Sequence, residues 1–416
     1  MLPAILILND RYYPSSTNSP AKVGATAFAL QVIRVLEGAG LFCGVILYDR
    51  QSHLAAPVVQ LVTRDSTPCV KLSFNFGMNT VQVRYALCAA TALLMAKFSN
   101  ILPPMLYYQT DTLLRYHPKR LPYCVTHHGP FYDDFTRHFT KGLAAVAYGS
   151  ENKASHLAVT QEEGLRYLKA SDRAYVLQHS KKQGDYLIER ANIEQLVSFS
   201  SSERNLIFTA VARLDYFKNI ELLVDSAVSL LDRGKLVRLL IVGGEGTSDT
   251  ASARLIARVP QKHSAHVKIT PKIPKDDMYA LFDYVRTHGI FVCTSRYETL
   301  GITPLEAALS GVATVMPDCD LVEASRYFPS SFRFEPTVTG LSHVLERFLQ
   351  DESGQSGLEL QCFINSLISE ERFVFDLLAA WSDFSQLALK TLATSNSTTF
   401  NKPTRPLKIR GRRYSM

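Results

Sequence analysis

Strands and helices alternate along this chain in a rhythm that predicts an α/β protein: two Rossmann-like, doubly wound parallel-sheet domains facing a cleft. Three observations carry the prediction. Short, almost wholly apolar runs of strand length recur, amphipathic segments lie between them, and a serine-rich interruption near the midpoint is followed by a restart of the pattern. Apolar runs without alternation suit strands covered on both faces. Helices between such strands supply the crossovers of a parallel sheet.

Residues 3 to 9 form the first apolar run, closed by the polar, Pro-containing stretch Asp10 to Val23. Gly24-Ala25 then opens a helical pattern (Phe28, Leu30, Val32, Ile33, Leu36) that ends at Gly38 and Gly40, and Phe42–Tyr48 reads as the next strand. Tyr85–Ala96 is apolar and charge-free but shorter than the roughly 20 residues that span a bilayer, so it reads as a buried helix. Met105–Tyr108, Tyr123–Thr126, Leu143–Ala147 and Ala174–Leu177 are further strand candidates. Ser198-Phe-Ser-Ser-Ser202 marks a hinge. Beyond it, Leu206–Ala212, Val237–Val242, Val267–Ile269, Ile290–Cys293 and Ala313–Val315 read as strands. Asn219–Leu231, Asp276–Val285, Pro304–Leu309 and Leu321–Tyr327 read as helices. The expected organisation is therefore a first domain over 1–197, a hinge over 198–204 and a second domain over 205–368. A C-terminal helix over 369–394 packs back toward the first domain, and a basic, disordered tail follows over 395–416.

Charge narrows the function classes. The chain has 416 residues with 45 Lys+Arg against 38 Asp+Glu, a formal charge of +7. Six of the cations (Lys402, Arg405, Lys408, Arg410, Arg412 and Arg413) follow Asn401 without an acidic residue, so residues 1–400 carry +1. A neutral body without an RNA-binding or helix-turn-helix signature gives no support to nucleic-acid binding. The tail reads as a solvated extension, with docking to an anionic membrane as the alternative. Seven cysteines stand no closer than 19 residues apart. That spacing suggests neither a zinc site nor a disulfide framework, and free thiols point to a reducing compartment. The N-terminus lacks the basic start and long apolar core of a signal peptide, so the expected location is cytoplasmic, with the inner face of a membrane as a peripheral option.

Two segments of the second half concentrate chemistry. Glu298 and Glu306 are separated by seven residues and follow an apolar strand, and Gly301 and Ile302 between them offer backbone N–H groups at a helix start, where an anion is favoured. The same spacing also fits an exposed loop glutamate and a surface helix glutamate. Arg213 and Lys218, five apart at a strand end and helix start, suit a diphosphate by charge and dipole together. They fit a solvated pair as well.

The run Ser295-Arg-Tyr-Glu-Thr-Leu-Gly-Ile-Thr-Pro-Leu-Glu-Ala-Ala-Leu-Ser-Gly311 resembles the signature of retaining glycosyltransferases of the GT-B fold, family 4 (glycosyl transferases group 1). The resemblance implies a nucleoside-diphosphate-sugar donor, with Glu306 on the ribose hydroxyls and Glu298 on the transferred sugar. It sets the amides of Leu300, Gly301 and Ile302 near the sugar and diphosphate, and Arg213 and Lys218 on the leaving group. Gly24-Ala25 stands where the family usually has two glycines near the donor phosphate. Tyr123-Cys-Val-Thr-His-His128-Gly129 is similar to the family's strand followed by His-Gly, which sets His128 against the sugar; the register leaves His127 as the other option. Gln109-Thr-Asp111 replaces the family's His-x-His-Asp. Gly243-Gly244 and Pro271-Lys272-Ile273 correspond to loops near the phosphates and base. The family's Pro-Asn-Gly segment before the second domain is missing from Ile193 to Arg204.

What the resemblance implies is a hexosyltransferase-type enzyme of carbohydrate biosynthesis, retaining and metal-independent, acting on a small-molecule, glycan or lipid acceptor in its first, acceptor-side domain. It implies no cofactor and no metal, and the nucleotide-sugar is itself a substrate. The alternatives are a GT-B enzyme of another kind, coupling a nucleotide-activated cyclitol or epimerising a sugar, and a non-catalytic scaffold that binds a sugar nucleotide.

Overall fold

The computed structural model describes residues 1–13, 24–64, 67–98, 102–109, 111–118, 121–125, 145–147, 165–167, 190–199, 205–244, 250–298, 300–350, 354–368 and 370–399. The first half builds strands β1 (Ala4–Asn9), β2 (Phe42–Arg50), β3 (Val58–Arg64), β4 (Thr67–Phe74), β5 (Met105–Tyr108) and β6 (Tyr123–Val125), with helices α1 (Gly24–Gly38) and α2 (Thr80–Met95). They form a sheet in the order β3-β4-β2-β1-β5-β6. Its pairings are parallel except for β3 with β4. Strand β1 is the pivot: Ile5 faces Gly44 on one side and Ile7 faces Tyr108 on the other. Its residues Ala4 to Leu8 are buried, as a run apolar on both faces must be in a sheet covered on both sides. A short parallel pair, β7 (Ala145–Ala147) and β8 (Leu165–Tyr167), forms a separate two-stranded sheet with β7 beside β6.

The second half contains α3 (Arg190–Val197), β9 (Asn205–Val211), α4 (Ile220–Asp232), β10 (Val237–Gly243), α5 (Thr250–Ile256), β11 (Val267–Thr270), α6 (Lys275–Val285), β12 (Gly289–Val292), α7 (Ile302–Leu309), β13 (Ala313–Pro317), β14 (Arg333–Phe334), α8 (Val338–Phe348) and α9 (Gln355–Leu367). Its sheet runs β11-β10-β9-β12-β13-β14, and every pairing is parallel. A long helix, α10 (Glu370–Thr399), closes the described chain.

Several elements depart from expectation. No element was expected between Arg50 and Tyr85, yet β3 and β4 form a hairpin there. Their apolar residues do not mark one covered face, since Val58 and Leu61 are exposed on the edge strand. Helix α2 is buried on one face alone, through Val83, Ala86, Leu87, Ala90 and Leu94, while Tyr85 is 72% exposed. Residues 323 to 327 make a 3-10 turn instead of an α-helix. The expected strand at Ala174–Leu177 lies outside the described residues.

Packing sorts the chain into cores. Helix α1 and one face of the first sheet share a core with α10, and α2 covers the opposite face. The second sheet and its helices form another core, which includes Ile193 and Val197. Helix α3, placed by the serine run in the first domain, thus packs with the second. Ile368 still belongs to the second core, whereas Phe373, Leu377 and Trp381 of α10 insert into the first. Trp381 donates its Nε1–H to the carbonyl of Leu2 at 2.9 Å, and Leu2 N–H donates to Ser385 Oγ at 3.0 Å. Helix α10 runs to Thr399, beyond the expected end at 394; the six basic tail residues lie outside the described residues. Among the described residues, no helix is long and apolar enough to cross a membrane. All seven cysteines are free, and Cys88 and Cys362 are exposed whereas Cys43, Cys69, Cys124 and Cys293 are buried.

Candidate active site

The chain leaves β9 toward β10 and β11 on one side and later returns to β12 on the other. Neighbouring strands whose connections depart in opposite directions leave a crevice at their carboxyl ends, and ligands of doubly wound sheets bind there. The loop after β9 carries Arg213 to Asn219, and the loop after β12 carries Cys293 to Gly301. Asp215 folds the first loop: its Oδ1 accepts from the N–H groups of Phe217 at 3.1 Å and Lys218 at 3.3 Å, a local turn that aspartate side chains favour. Asn219 then enters α4 with φ +50°, a left-handed conformation that asparagine tolerates better than most residues.

The two loops are stitched together. Thr294 Oγ1 donates to the Lys218 carbonyl at 2.9 Å, and Arg296 N–H donates to the Phe217 carbonyl at 2.8 Å. The Arg296 guanidinium donates to the Tyr216 carbonyl at 2.7 Å and lies 4.1 Å from the centre of its ring. Across the seam the Lys218 ammonium pairs with Glu298 Oε1, which also accepts from Ser295 Oγ at 2.7 Å. Both charged side chains are largely buried, at 21% and 19% exposure.

Next to this pair, Gly301 begins α7 with φ +99°. A Cβ there would stand 3.0 Å from the Ala324 Cβ. Glycine therefore serves twice, in a backbone conformation that other residues resist and at a close approach. Lys218, Ser295, Glu298, Gly301 and Ile302 line a cavity of about 120 Å³. That is small beside the roughly 300–1,000 Å³ of a whole ligand site, so it accommodates one end of a larger molecule. Cys293 also lines it. Burial, the larger cause, and the nearby Glu298 charge push its thiol up to about 11, which leaves it a neutral thiol and a poor nucleophile near pH 7.

The structure brings some of the sequence-selected residues together and leaves others apart. Lys218, Glu298, Gly301 and Ile302 share the cavity. Leu300 is buried beside it, its carbonyl accepting from Ala324 N–H at 2.7 Å. Arg213 is 75% exposed and pairs with Asp215 at 3.2 Å. Glu306 is fully buried in α7, and its Oε1 accepts the Tyr279 hydroxyl at 2.7 Å, so it is no surface glutamate. Gly244 turns the chain after β10 with φ +70°, and its carbonyl accepts from Lys272 N–H at 3.3 Å. Lys272 is exposed and Ile273 half-buried in the loop after β11. Gly24 is the first residue of α1. Asp111 opens a 3-10 turn. His127 and His128 lie outside the described residues.

Sequence reasoning missed the residues that hold the pair in place. Asp215, Thr294 and Arg296 bind backbone, and Tyr279 reaches Glu306 from a different helix. Adjacency of the loops after β9 and β12 was the available signal, but it becomes visible only once the strand order is known.

The class follows from the fold: two parallel-sheet α/β domains of the GT-B type. The chain superposes on the sucrose-phosphate synthase of Thermosynechococcus elongatus with TM-score 0.62 at 14% identity, covering 92% of this chain and 99% of that one. A trehalose-6-phosphate protein of E. coli bound with UDP-2-fluoro glucose gives TM-score 0.61 at 11% identity, with 92% and 99% covered. A UDP-forming trehalose-phosphate synthase of Burkholderia xenovorans in complex with glucose-6-phosphate gives 0.60 at 12% identity, with 92% and 100% covered. Within the chain, residues 192–325 match the model of the family "Glycosyl transferases group 1". No curated protein shows a significant sequence match to the chain.

Proposed function

We propose that the protein is a retaining, metal-independent glycosyltransferase that moves a sugar from a nucleoside-diphosphate donor to a hydroxyl acceptor. The observation that carries the reading is the Lys218–Glu298 pair at the β9/β12 crevice, beside the N-terminus of α7. A cation and a helix N-terminus favour a diphosphate, and a neighbouring carboxylate suits sugar hydroxyls. Donor binding exchanges the partner of Lys218: its ammonium passes from Glu298 to the diphosphate, and Glu298 becomes available to the sugar.

The strand order gives room for the nucleotide. Lys272 and Ile273 follow β11, two strands from β9, whose loop carries Lys218, a distance of roughly 10 Å at sheet spacing. A nucleoside diphosphate extends over such a span, with its phosphates at Lys218 and its base toward Ile273. Glu306 is bonded to Tyr279 of α6, the helix that follows Ile273, and is the candidate for the ribose. Arg213 is exposed on the Lys218 loop, where it can turn toward the phosphates. As the bond to the anomeric carbon breaks, Lys218, Arg213 and the amides of Gly301 and Ile302 stabilise the departing charge. The leaving phosphate takes the acceptor's proton, which dispenses with a strong general base. His128 and Gly24 are assigned by resemblance to the sugar and the phosphate. The free cysteines accord with a cytoplasmic enzyme.

A thermal-shift panel of UDP-, GDP-, ADP- and TDP-sugars tests the donor class, and stabilisation by none of them refutes it. Proton NMR of the first-formed glycoside reads retention at the anomeric carbon. Turnover that persists in excess EDTA is expected, and its abolition would overturn the metal-independent mechanism.

A further inference from the structure

The second domain holds its charged pair at the point where its strand order reverses. The first domain has the equivalent point between β1 and β5, since the chain goes from β1 outward through β2 and later comes back to β5 on the other side. Gln109 is the residue that follows β5. Its backbone N–H donates to the Ile7 carbonyl at 3.0 Å, which fixes it beside the end of β1. The side chain has 0% exposure, and neither Oε1 nor Nε2 has a hydrogen-bond partner. Among the described residues it is the amide buried with both of its polar atoms unpaired.

Such an arrangement is costly to the folded protein, since a buried polar group without a partner is destabilising where an apolar group of similar shape would not be. Leucine or methionine could occupy the same volume without that cost. Cores rarely keep such groups except where a site needs them. An amide offers one acceptor and two donor hydrogens in a plane, and adjacent ring hydroxyls match it: one donates to Oε1 while its neighbour accepts from Nε2. Ligands of a doubly wound sheet bind at the carboxyl ends around this reversal point.

We propose that Gln109 hydrogen-bonds a pair of sugar hydroxyls at the β1/β5 crevice. The inference rests on the glycosyltransferase reading and adds a sugar-contacting residue in the first domain. The hydroxyls belong either to the sugar being transferred or to a sugar acceptor, and the two are distinguishable.

The test is Gln109→Leu, with Gln109→Met as a second apolar replacement, each compared with wild type in thermal unfolding and in binding. The probes are the best nucleoside diphosphate of the donor panel, its sugar ester, and glucose 6-phosphate. Removing the unpaired amide should raise the unliganded midpoint by about 2–4 °C while weakening sugar binding about tenfold or more. Affinity for the bare nucleoside diphosphate should not change, because it lacks the sugar that Gln109 is proposed to hold; this doubles as a check that the variants are folded. If the sugar ester loses its advantage over the bare diphosphate, Gln109 holds the transferred sugar. If glucose 6-phosphate alone is lost, it holds the acceptor.

A variant that is less stable than wild type, or that binds every sugar as wild type does, overturns the proposal and makes Gln109 a packing residue. Wild-type protein that binds the diphosphate but gains from no sugar also overturns it, leaving the donor-nucleotide reading intact. Wild-type protein that binds no nucleotide, yet is stabilised by glucose 6-phosphate through Gln109, defeats the donor reading and supports this one.

Discussion

Lys218 and Glu298 satisfy each other in the structure, so neither can serve a ligand without giving up its partner. Removing the cation should therefore affect the charged leaving group most. Lys218→Ala is expected to lower turnover roughly 10²-fold or more while leaving folding intact, measured as initial rates on the best donor of the panel. Wild-type turnover in that variant would sink the assignment. Glu306 is tied to Tyr279, and a double-mutant cycle with Glu306→Gln and Tyr279→Phe should return a non-zero coupling, on the order of 1 kcal/mol. His117 supplies a pH-dependent term of a different kind. It is buried between the Tyr108 hydroxyl at 2.8 Å and the Leu121 carbonyl at 2.8 Å, and burial lowers its pKa to about 4. The unfolded histidine takes a proton near pH 6.5 and the folded one resists until about 4. Its contribution is full above pH 6.5 and is lost as the pH falls toward 4, on the order of 3 kcal/mol. In His117→Gln, urea unfolding at pH 7 and pH 4.5 should show a smaller difference than in wild type. At this scale Lys218 and Glu298 could each be singled out, from one short loop and one contiguous signature, but their pairing could not, because it joins loops 80 residues apart in the chain. Gln109 could be singled out by register, but only burial shows that its amide stands unpaired.

At the scale of elements, α7 depends on how it begins. Gly301 holds φ +99° against Ala324, so Gly301→Ala should cost about 1–3 kcal/mol in urea unfolding. It should also weaken nucleotide binding, because the cavity is lined by the turn that has to shift; unaltered nucleotide affinity would show that the amides of this turn take no part. Strands buried on both faces, such as β1 and β9, could be read directly from unbroken apolar runs. The β3–β4 hairpin could not, since its edge strand exposes Val58 and Leu61 and its pattern marks no covered face. Helix α2 misled in the opposite sense: an apolar run lay on both sides of the helix, and only packing shows which side meets the sheet. The serine run pointed to a boundary after α3, but Ile193 and Val197 commit that helix to the second core. Composition locates a polar stretch, whereas contacts decide which domain the adjoining helix joins.

At the scale of the whole molecule, the chain departs from the first core after the early strands and returns to it through α10. Trp381 is fully buried there and bonded to Leu2. Trp381→Ala should destabilise the protein by about 3–5 kcal/mol, read as a loss of the first domain's unfolding transition in calorimetry, with the second domain's transition retained. The two-domain plan was legible because the strand–helix rhythm restarts, and a terminal helix was expected to return. What no periodicity reveals is that the return occupies both backbone groups of Leu2. This feature also sets an order of assembly. During synthesis β1 emerges about 380 residues ahead of the α10 side chains that help cover it and bind Leu2. At roughly 5–20 residues per second, the first domain waits on the order of 20–80 s for its last wall, its apolar sheet face covered only in part, by α1, in the meantime. The second domain, whose core ends at Ile368, can be finished before the first, so the half of the protein made first is the half that matures last.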